Sequence, residues 1–365
     1  YIQGYTQNGS APINLTTTGS SAIYTGAGVS NNPSVIGGDF SVVAPDIYIK
    51  GTTFNGEVTI TKTGGVSNHN DGRQNIFNGT LFINQQSSTG YFMLGYNSND
   101  QFNDDIIVSS TGSGDINFGY ASGSGTPTLA AGKTIQIGSA GYSDGMLSLN
   151  SFTQYGNAPL NLAFTGTHSA IRFARNTVIG GSLVVSSPNI YFDGCTFNGT
   201  VDATKTGSGS NAGRGGNVFN QHCNITNNGS GYLLLGNIDA DIWNDDVVFT
   251  NNGSERILPC WASTGNQFNG NIFLNTTGSA DGIYFCGGNS TATATLAAGK
   301  TIQAGSGGLN AGYIILKQFT QLGNVPVNLT LNSTATSLQF GPSSFIGGNV
   351  TAVSPGLYFN GCTFS

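Results

Sequence analysis

The sequence predicts an all-β fold, a parallel β-helix (β-solenoid) of about 16 coils of roughly 18–30 residues, with no long helices. Two observations predict this fold. A short phrase recurs at a nearly constant spacing, and the residues around it alternate as in strands with turn residues between them. A fixed period in the range of ~20–50 residues is the signature of repeat architectures. We therefore expect each repeat to form one coil of a solenoid.

The short repeat is an aromatic residue followed by asparagine, and its copies are 22–25 residues apart within each of two runs. A mainly apolar residue follows four and six positions after each aromatic, as Val58 and Ile60 do after Phe54. In a parallel coil the rings would stack inside at ~4.8 Å and the asparagine amides would form a ladder at a corner. The predicted ladder residues are Phe54, Asn55, Phe77, Asn78, Phe102, Asn103, Phe197, Asn198, Phe219, Asn220, Trp243, Asn244, Phe268 and Asn269.

The segments within each repeat favour short strands. Apolar residues alternate with period two, which suits a strand with one buried face, and Thr-Gly-Ser, Asn-Gly and Gly-Gly clusters separate them. Asn-Gly is also the strongest hairpin signal, so an antiparallel arrangement is the alternative. Hairpins do not require the same residue at the same slot of successive segments, whereas parallel stacking does.

The short repeats are grouped into a longer repeat, whose copies are residues 5–151, residues 152–318 and an incomplete copy, residues 319–365. Residues 129–136, for example, recur unchanged at 296–303. The first two copies are 147 and 167 residues long, and the difference is close to one coil, located at residues 243–260. We expect residues 1–365 to form one continuous β-solenoid, a fragment of a longer array.

Composition argues against several functions. Charged residues make up 8% of the chain, and its 11 Lys and Arg are scattered. Nucleic-acid binding needs a clustered basic face, and no apolar run approaches the ~20 residues that span a bilayer. His69, His168 and His222 lie in unrelated repeats, and no nucleophile or phosphate-binding motif is present. We therefore predict no enzyme, no catalytic residues, no nucleic-acid partner and no membrane insertion.

Two acidic corners are candidates for calcium. Asp104 and Asp105 occupy one corner, and Asp245 and Asp246 occupy the equivalent corner of another coil. Calcium prefers such oxygen ligands. The alternative is that these are solvated turns. No other cofactor is predicted.

Cys260 and Cys286 fall in equivalent slots of adjacent repeats, where their separation would suit a disulfide. The alternative is a slot for any small residue, because Gly119 stands there in the first long repeat.

Three tyrosines, Tyr48, Tyr191 and Tyr358, are equivalent across the long repeats and point outward by alternation. They are candidates for a glycan platform, with packing under a loop as the alternative.

Several phrases, at residues 216–220, 227–237, 265–271 and 295–302, resemble the repeat region of SprB-type gliding-motility cell-surface adhesins of Bacteroidota. The resemblance covers nearly the whole chain, but its motifs are structural. It implies export of the parent protein by type IX secretion, an extracellular cell-surface location, and a filament that mediates attachment and gliding. It implies no catalytic residues.

Two functions follow. The first is a structural repeat segment of a giant adhesin filament. Its partners would be further repeats of the same parent chain at both ends, a surface polysaccharide or abiotic surface, and the gliding machinery through the parent protein. The alternative is a carbohydrate-binding or carbohydrate-cleaving β-helix, similar to tailspikes and lyases.

Overall fold

The computed structural model describes residues 1–26, 33–70, 73–120, 122–277, 280–288, 291–331 and 337–365. These residues form 45 β-strands and no α-helix, and the strands pair in parallel with the third strand after them along the chain. That order is expected when each coil adds one strand to each of three sheets. The predicted all-β, parallel β-helical fold class is confirmed. The chain divides into two compact units, Tyr1–Ser182 and Leu183–Ser365.

Unit 1 has three sheets. The first contains Ile13–Thr16, Phe40–Ala44, Val58–Lys62, Leu81–Gln85, Ile106–Ser110, Ile135–Tyr142 and Leu160–Ala163. The second contains Ser34–Ile36, Thr52–Phe54, Ile76–Phe77, Gln101–Phe102, Thr128–Leu129, Thr153–Gln154 and Val178–Ile179. The third contains Asn68–Asn70, Tyr91–Leu94, Asp115–Phe118, Met146–Leu149 and Ala170–Phe173, and a separate pair is formed by Ala22–Gly26 and Asp46–Lys50.

Unit 2 repeats this plan. Its first sheet contains Leu183–Ser187, Val201–Lys205, Cys223–Asn227, Val247–Asn251, Ile272–Thr276, Ile302–Leu309, Val327–Thr330 and Val350–Val353. The second contains Thr196–Phe197, Val218–Phe219, Ile242–Trp243, Asn266–Phe268, Ala294–Leu296, Phe319–Gln321, Phe345–Ile346 and Thr363–Phe364. The third contains Asn211–Ala212, Leu233–Leu234, Ile257–Cys260, Gly282–Phe285, Tyr313–Leu316, Ser337–Phe340 and Gly356–Phe359, and Asn189–Phe192 precedes it.

The register of the first sheet places equivalent residues of successive coils opposite one another. Leu81 pairs with Val58 on one side and with Ile106 on the other. All three are at most 1% exposed. Because alternate residues of a strand point to opposite faces, this slot and the one two residues later fill the core. The same slot in unit 2 includes Cys223, which is therefore an ordinary core residue.

The extra coil predicted at residues 243–260 contributes a strand to each sheet of unit 2, namely Ile242–Trp243, Val247–Asn251 and Ile257–Cys260. Each of these strands pairs in parallel with the equivalent strands of the coils before and after it. The insertion therefore leaves the stacking intact and adds one layer to the core. No described residues form a helix that is long and apolar enough to cross a membrane.

Candidate functional site

The aromatic residues of the repeated phrase lie inside the coils, and all seven rings are at most 1% exposed. In unit 1 the centroids of Phe54, Phe77 and Phe102 are 5.2 Å apart at each step, with interplanar angles of 9° and 12°. In unit 2 the centroid separations are 5.2, 4.0 and 6.0 Å along Phe197, Phe219, Trp243 and Phe268. Since the faces of these rings are covered by neighbouring side chains, the rings build the core and are not accessible to a ligand.

The asparagines after these rings form side-chain ladders at the surface. Each Nδ2 donates to the Oδ1 of the preceding coil. The distances are 2.9 Å for Asn78 to Asn55, 2.8 Å for Asn103 to Asn78, 2.9 Å for Asn220 to Asn198, 2.8 Å for Asn244 to Asn220 and 3.0 Å for Asn269 to Asn244. Chains of hydrogen bonds pointing in one direction polarise one another and strengthen the ladder.

A second polar column, which the sequence did not suggest, lies two residues before the aromatic and is fully buried. In unit 1, Asn75 donates from its backbone N–H at 2.8 Å and from Nδ2 at 3.2 Å to Oδ1 of Asp100. Ser98 Oγ donates to the same oxygen at 2.9 Å. Burial nevertheless raises the pKa of Asp100 to about 6, because these hydrogen bonds offset only part of the desolvation of the charge.

The corresponding column in unit 2 contains Asn217, Asp241 and Asn266. Both the backbone N–H and Nδ2 of Asn217 donate to Asp241 Oδ1 at 2.8 Å, and the N–H of Asp241 donates to Asn266 Oδ1 at 2.9 Å. Among the described residues, Oδ2 of Asp241 has no hydrogen-bond partner. Burial raises the pKa of Asp241 to about 7, because the hydrogen bonds from Asn217 offset only part of the desolvation of the charge.

Two lysines are also buried, and neither is available to a ligand. Lys62 Nζ donates to the carbonyls of Pro45 and Gly64 at 2.9 and 2.6 Å, and Lys205 Nζ donates to the carbonyl of Gly207. Burial lowers the pKa of Lys205 to about 8. These ammonium groups hold corners of the coils together.

The first calcium candidate, Asp104 with Asp105, is already engaged by donors of the protein. Lys133 Nζ donates to Asp104 Oδ1 at 2.5 Å, and the backbone N–H of Thr134 donates to Asp105 Oδ1 at 2.8 Å. The hydrogen bond from Lys133 is the main cause that lowers the pKa of Asp104. This corner is an ion-paired turn.

The second candidate, Asp245 with Asp246, is similar. Asp245 Oδ1 accepts the backbone N–H of Asp246 at 2.8 Å. Asp246 Oδ1 accepts the backbone N–H and Nδ2 of Asn271 at 2.7 and 3.0 Å. Within the described ranges, no three His, Cys, Asp or Glu side chains are grouped so that they could hold a metal ion.

Cys260 and Cys286 are brought together, although not in the slots that the sequence suggested. Their Sγ atoms are 3.1 Å apart, and the backbone N–H of Cys286 donates to Cys260 Sγ at 3.2 Å. The register shifts between Ile257 and Cys260, so Cys260 pairs with Phe285 and not with Cys286. Pro259 lies in this irregular segment, and proline, which lacks an N–H, is typical of such bulges.

We expect both thiols to be unreactive in the folded protein, because each is at most 1% exposed and burial raises the pKa of Cys260. Iodoacetamide should therefore modify Cys260 and Cys286 only after unfolding, whereas half-buried Cys362 should react in the native state. Peptide mapping by mass spectrometry measures this. A disulfide would instead give an intact mass lower by two hydrogens without reductant. Iodoacetamide would then modify neither cysteine after unfolding.

The two candidate tyrosines of unit 2 do not meet, and the third, Tyr48, belongs to unit 1. In unit 1, Tyr48 stacks on Tyr24 at 4.7 Å and 8°, so one face of its ring is covered. In unit 2, Tyr191 is half-buried and Tyr358 is 56% exposed. Six strands of the third sheet lie between the strand that contains Tyr191 and the strand that contains Tyr358. Seven steps of ~4.8 Å place Tyr191 and Tyr358 roughly 34 Å apart, too far to contact one sugar ring.

A groove of about 480 Å³ lies on the third sheet of unit 2. Leu234 and Leu258 form its floor. They follow the inward residues Leu233 and Ile257 and so point to the outer face, yet they are only 5% and 3% exposed. Their low exposure on an outer face shows that the side chains around the groove cover them.

Serines and aromatic residues border this floor. Ser208, Ser210 and Ser230 line one part of it, together with Tyr232 and Trp261. Tyr and Trp offer a flat apolar ring with a polar atom at its edge, a combination common where a ligand is partly apolar and partly wet.

Charged groups of the groove are paired with one another. Arg256 Nη2 lies 2.6 Å from Asp281 Oδ2, and its Nε lies 4.0 Å from Glu255 Oε2. The guanidinium also lies 4.8 Å from the ring centroid of Tyr284. The hydroxyl of Tyr284 donates to Asp281 Oδ1 at 2.7 Å. Burial, followed by this hydrogen bond, raises the pKa of Tyr284.

Sequence reasoning did not find the groove, because its residues come from three different coils. Some of them also recur in the first long repeat, Ser210 as Ser67 and Tyr232 as Tyr91. One signal was present. Arg256 belongs to the extra coil at 243–260, and Trp261 follows it directly. Comparison of the chain with family models, with curated proteins and with solved structures finds no match.

Proposed function

We propose that this chain is a structural repeat segment of a giant extracellular adhesin filament that mediates surface attachment and gliding motility. The observation that carries the proposal is the repetition of the same residue at the same slot of successive coils, in the buried rings and in the asparagine ladders. Such an array gains length by adding coils, since each coil contacts mainly its neighbours.

The proposed partners include further repeats of the parent chain. Among the described residues, coils pair in parallel with the equivalent strands of the coils before and after them, so an array of this kind can be lengthened by stacking further coils.

The remaining proposed partners are a surface polysaccharide or an abiotic surface, and the gliding machinery through the parent protein. We propose no nucleic-acid partner, no membrane insertion and no catalytic activity. The proposed route is type IX secretion in a member of the Bacteroidota, with the chain on the outside of the cell. The resemblance of its repeat phrases to SprB-type adhesins supports this part of the proposal.

Antibodies raised against the folded chain test the proposal in the source bacterium. We expect them to label intact cells, and their Fab fragments to reduce attachment to glass and gliding speed. Fab fragments against an unrelated surface protein of the same cells are the control. Labelling that requires permeabilised cells, or attachment and gliding that Fab fragments leave unchanged at saturating label, would contradict the proposal.

Carbohydrate binding is the second candidate function, and the groove of unit 2 is the observation that favours it. An apolar floor, two aromatic residues and several hydroxyls converge there. Ligand sites of proteins typically combine a mostly apolar lining with a few placed polar groups. Binding of a surface polysaccharide would also serve an adhesin, so the two functions are compatible.

A further inference from the structure

We propose that the groove of unit 2 is a binding site for an uncharged saccharide chain, held between Tyr232 and Trp261 over the floor of Leu234 and Leu258. The inference rests on the proposed role in surface attachment and specifies one contact through which it occurs. The volume of about 480 Å³ lies within the ~300–1,000 Å³ that is usual for small-ligand sites.

Trp261 is held in place before any ligand arrives. A Cβ on Gly288 would lie 2.6 Å from Cδ2 and Cε2 of the indole, so the ring packs directly on the backbone of this glycine. At Gly287 a Cβ would lie 3.4 Å from Cζ3 of the same ring. A ring that is fixed on one side and borders a groove on the other loses little freedom on binding, which favours affinity.

The chemistry of the groove matches a sugar ring better than a wholly apolar ligand. A pyranose presents C–H groups on its faces and hydroxyls at its rim. The aromatic rings of Tyr232 and Trp261 suit the C–H faces. The hydroxyls of Ser208, Ser210 and Ser230, which line the same groove, can donate to and accept from sugar hydroxyls.

The charges favour an uncharged ligand. Arg256 is the cation among the described residues that line the groove, and Asp281 and Glu255 already neutralise it. These three side chains together carry one net negative charge. A uronate or sulfate group would have to displace Asp281 from Arg256 and would meet the remaining carboxylate. Like-charge contacts of this kind select against the wrong partner.

The groove depends on the extra coil of the second long repeat. Glu255, Arg256 and Leu258 belong to that coil, and Trp261 follows it. The coil before it supplies Tyr232, and the coil before that supplies Ser208 and Ser210. Asp281 of the following coil holds Arg256 in place. The inserted coil therefore adds a surface feature to unit 2 while continuing the ladders of the core.

Tryptophan fluorescence can measure binding because the chain contains two tryptophans, Trp243 in the core and Trp261 at the groove. Trp243→Phe leaves Trp261 as the reporter. Phenylalanine occupies this slot in both neighbouring coils, and Trp243 Nε1 has no hydrogen-bond partner among the described residues. The probes are cello-, xylo-, manno- and chito-hexasaccharides, with alginate and hyaluronan hexasaccharides as acidic counterparts.

We expect at least one uncharged hexasaccharide to change Trp261 fluorescence saturably, and to bind at least about tenfold more tightly than the acidic ones. Calorimetry should show Tyr232→Ala and Trp261→Ala weakening this binding about tenfold or more, as expected for aromatic anchors. Ser210→Phe should weaken it similarly by filling the groove from an exposed position without changing the core. Tyr155→Ala is the matched control, a 55% exposed aromatic of unit 1 that does not line the groove, and should bind like the parent chain.

Three outcomes would overturn the inference: no uncharged hexasaccharide binds, an acidic one binds best, or binding survives Ser210→Phe undiminished. Circular dichroism and urea unfolding establish that each variant is folded, and Ser210→Phe gives a valid result even where Trp261→Ala does not fold. Failure here, with attachment still blocked by Fab fragments, would leave the filament role standing and place its surface contacts elsewhere.

Discussion

Replacement of Phe219 by alanine is expected to lower the free energy of unfolding by about 3–5 kcal/mol. The ring is 1% exposed and lies between two other rings. Its centroid is 5.2 Å from that of Phe197 and 4.0 Å from that of Trp243, and both pairs are stacked. Phe192 contacts it edge-on at 5.9 Å. Truncation would leave a cavity between two coils whose strands cannot approach without breaking their hydrogen bonds.

Urea unfolding followed by the fluorescence of Trp243 measures this effect, since that indole stacks directly on Phe219. Val218→Ala is the matched control, because Val218 is the neighbouring residue of the same strand and is only half-buried. We expect the control to lose less than about 1 kcal/mol. Equal losses at the two positions would show that the stacked ring contributes no more than a surface side chain does.

The periodic residues of this fold could be read from the sequence because parallel stacking forces equivalent residues together. Val58, Leu81 and Ile106 share a slot in the sequence and pair in register in the structure. The asparagines at the corners stack for the same reason. The Nδ2 of each side chain donates to the Oδ1 of the preceding coil, and its Oδ1 accepts from the Nδ2 of the following coil. A residue that recurs at one slot of the repeat therefore predicts which residue lies beside it in the adjacent coil.

Residues outside the repeat pattern could not be placed in this way. Cys260 shares a sequence slot with Cys286, but the irregular segment around Pro259 shifts its pairing to Phe285. One residue of shift changes the partner while leaving the spacing in the sequence unaffected. Conversely, Arg256 and Asp281 are 25 residues apart and form an ion pair only because their coils are adjacent.

The candidate groove illustrates the same limit. Outward residues differ from coil to coil, so that repetition gives no information about which of them meet. Tyr48, Tyr191 and Tyr358 do recur, yet recurrence at the period of the long repeat places Tyr191 and Tyr358 many strands apart. A binding surface requires different residues in adjacent coils, which is the arrangement of Ser210, Tyr232 and Arg256.

Replacement of Asp241 by asparagine is expected to stabilise unit 2 at neutral and alkaline pH and to have little effect near pH 4. The same slot already holds Asn217 in the coil before and Asn266 in the coil after. An asparagine Oδ1 can accept the same two hydrogen bonds from Asn217. Its Nδ2 would replace Oδ2, which has no donor among the described residues, and Asn217 Nδ2 shows that this slot offers a backbone carbonyl, that of Phe192 at 3.2 Å.

The sign of the pH dependence follows from the raised pKa. In the unfolded chain Asp241 ionises near its ordinary pKa of 3.8, whereas in the folded chain it keeps its proton up to about 7. Unfolding therefore releases a proton between these values, and stability falls by about 1.4 kcal/mol per pH unit across this window. The full cost above pH 7 is about 4 kcal/mol, and below pH 4 both states are protonated and the cost disappears.

No cation offsets this cost in the surroundings of the carboxyl that the structure describes. The titratable neighbours of Asp241 are the thiols of Cys195, Cys223 and Cys260, whose pKa values are raised by burial and further by this carboxylate. Ionisation of Asp241 would therefore add a charge to a site that holds only neutral groups.

Urea unfolding of the parent chain and of Asp241→Asn between pH 4 and pH 8 tests this account. We expect the two midpoints to coincide near pH 4 and to separate as the pH rises, with the variant more stable. Asp245→Asn is the matched control, an exposed carboxylate of the same coil, and should follow the parent at every pH. A variant that is less stable than the parent at pH 8 would show that the folded chain holds the ionised carboxylate of Asp241 without this cost, so that its pKa is not raised. The polar column would then be an anion site of the core, rather than a series of asparagines interrupted by an acid.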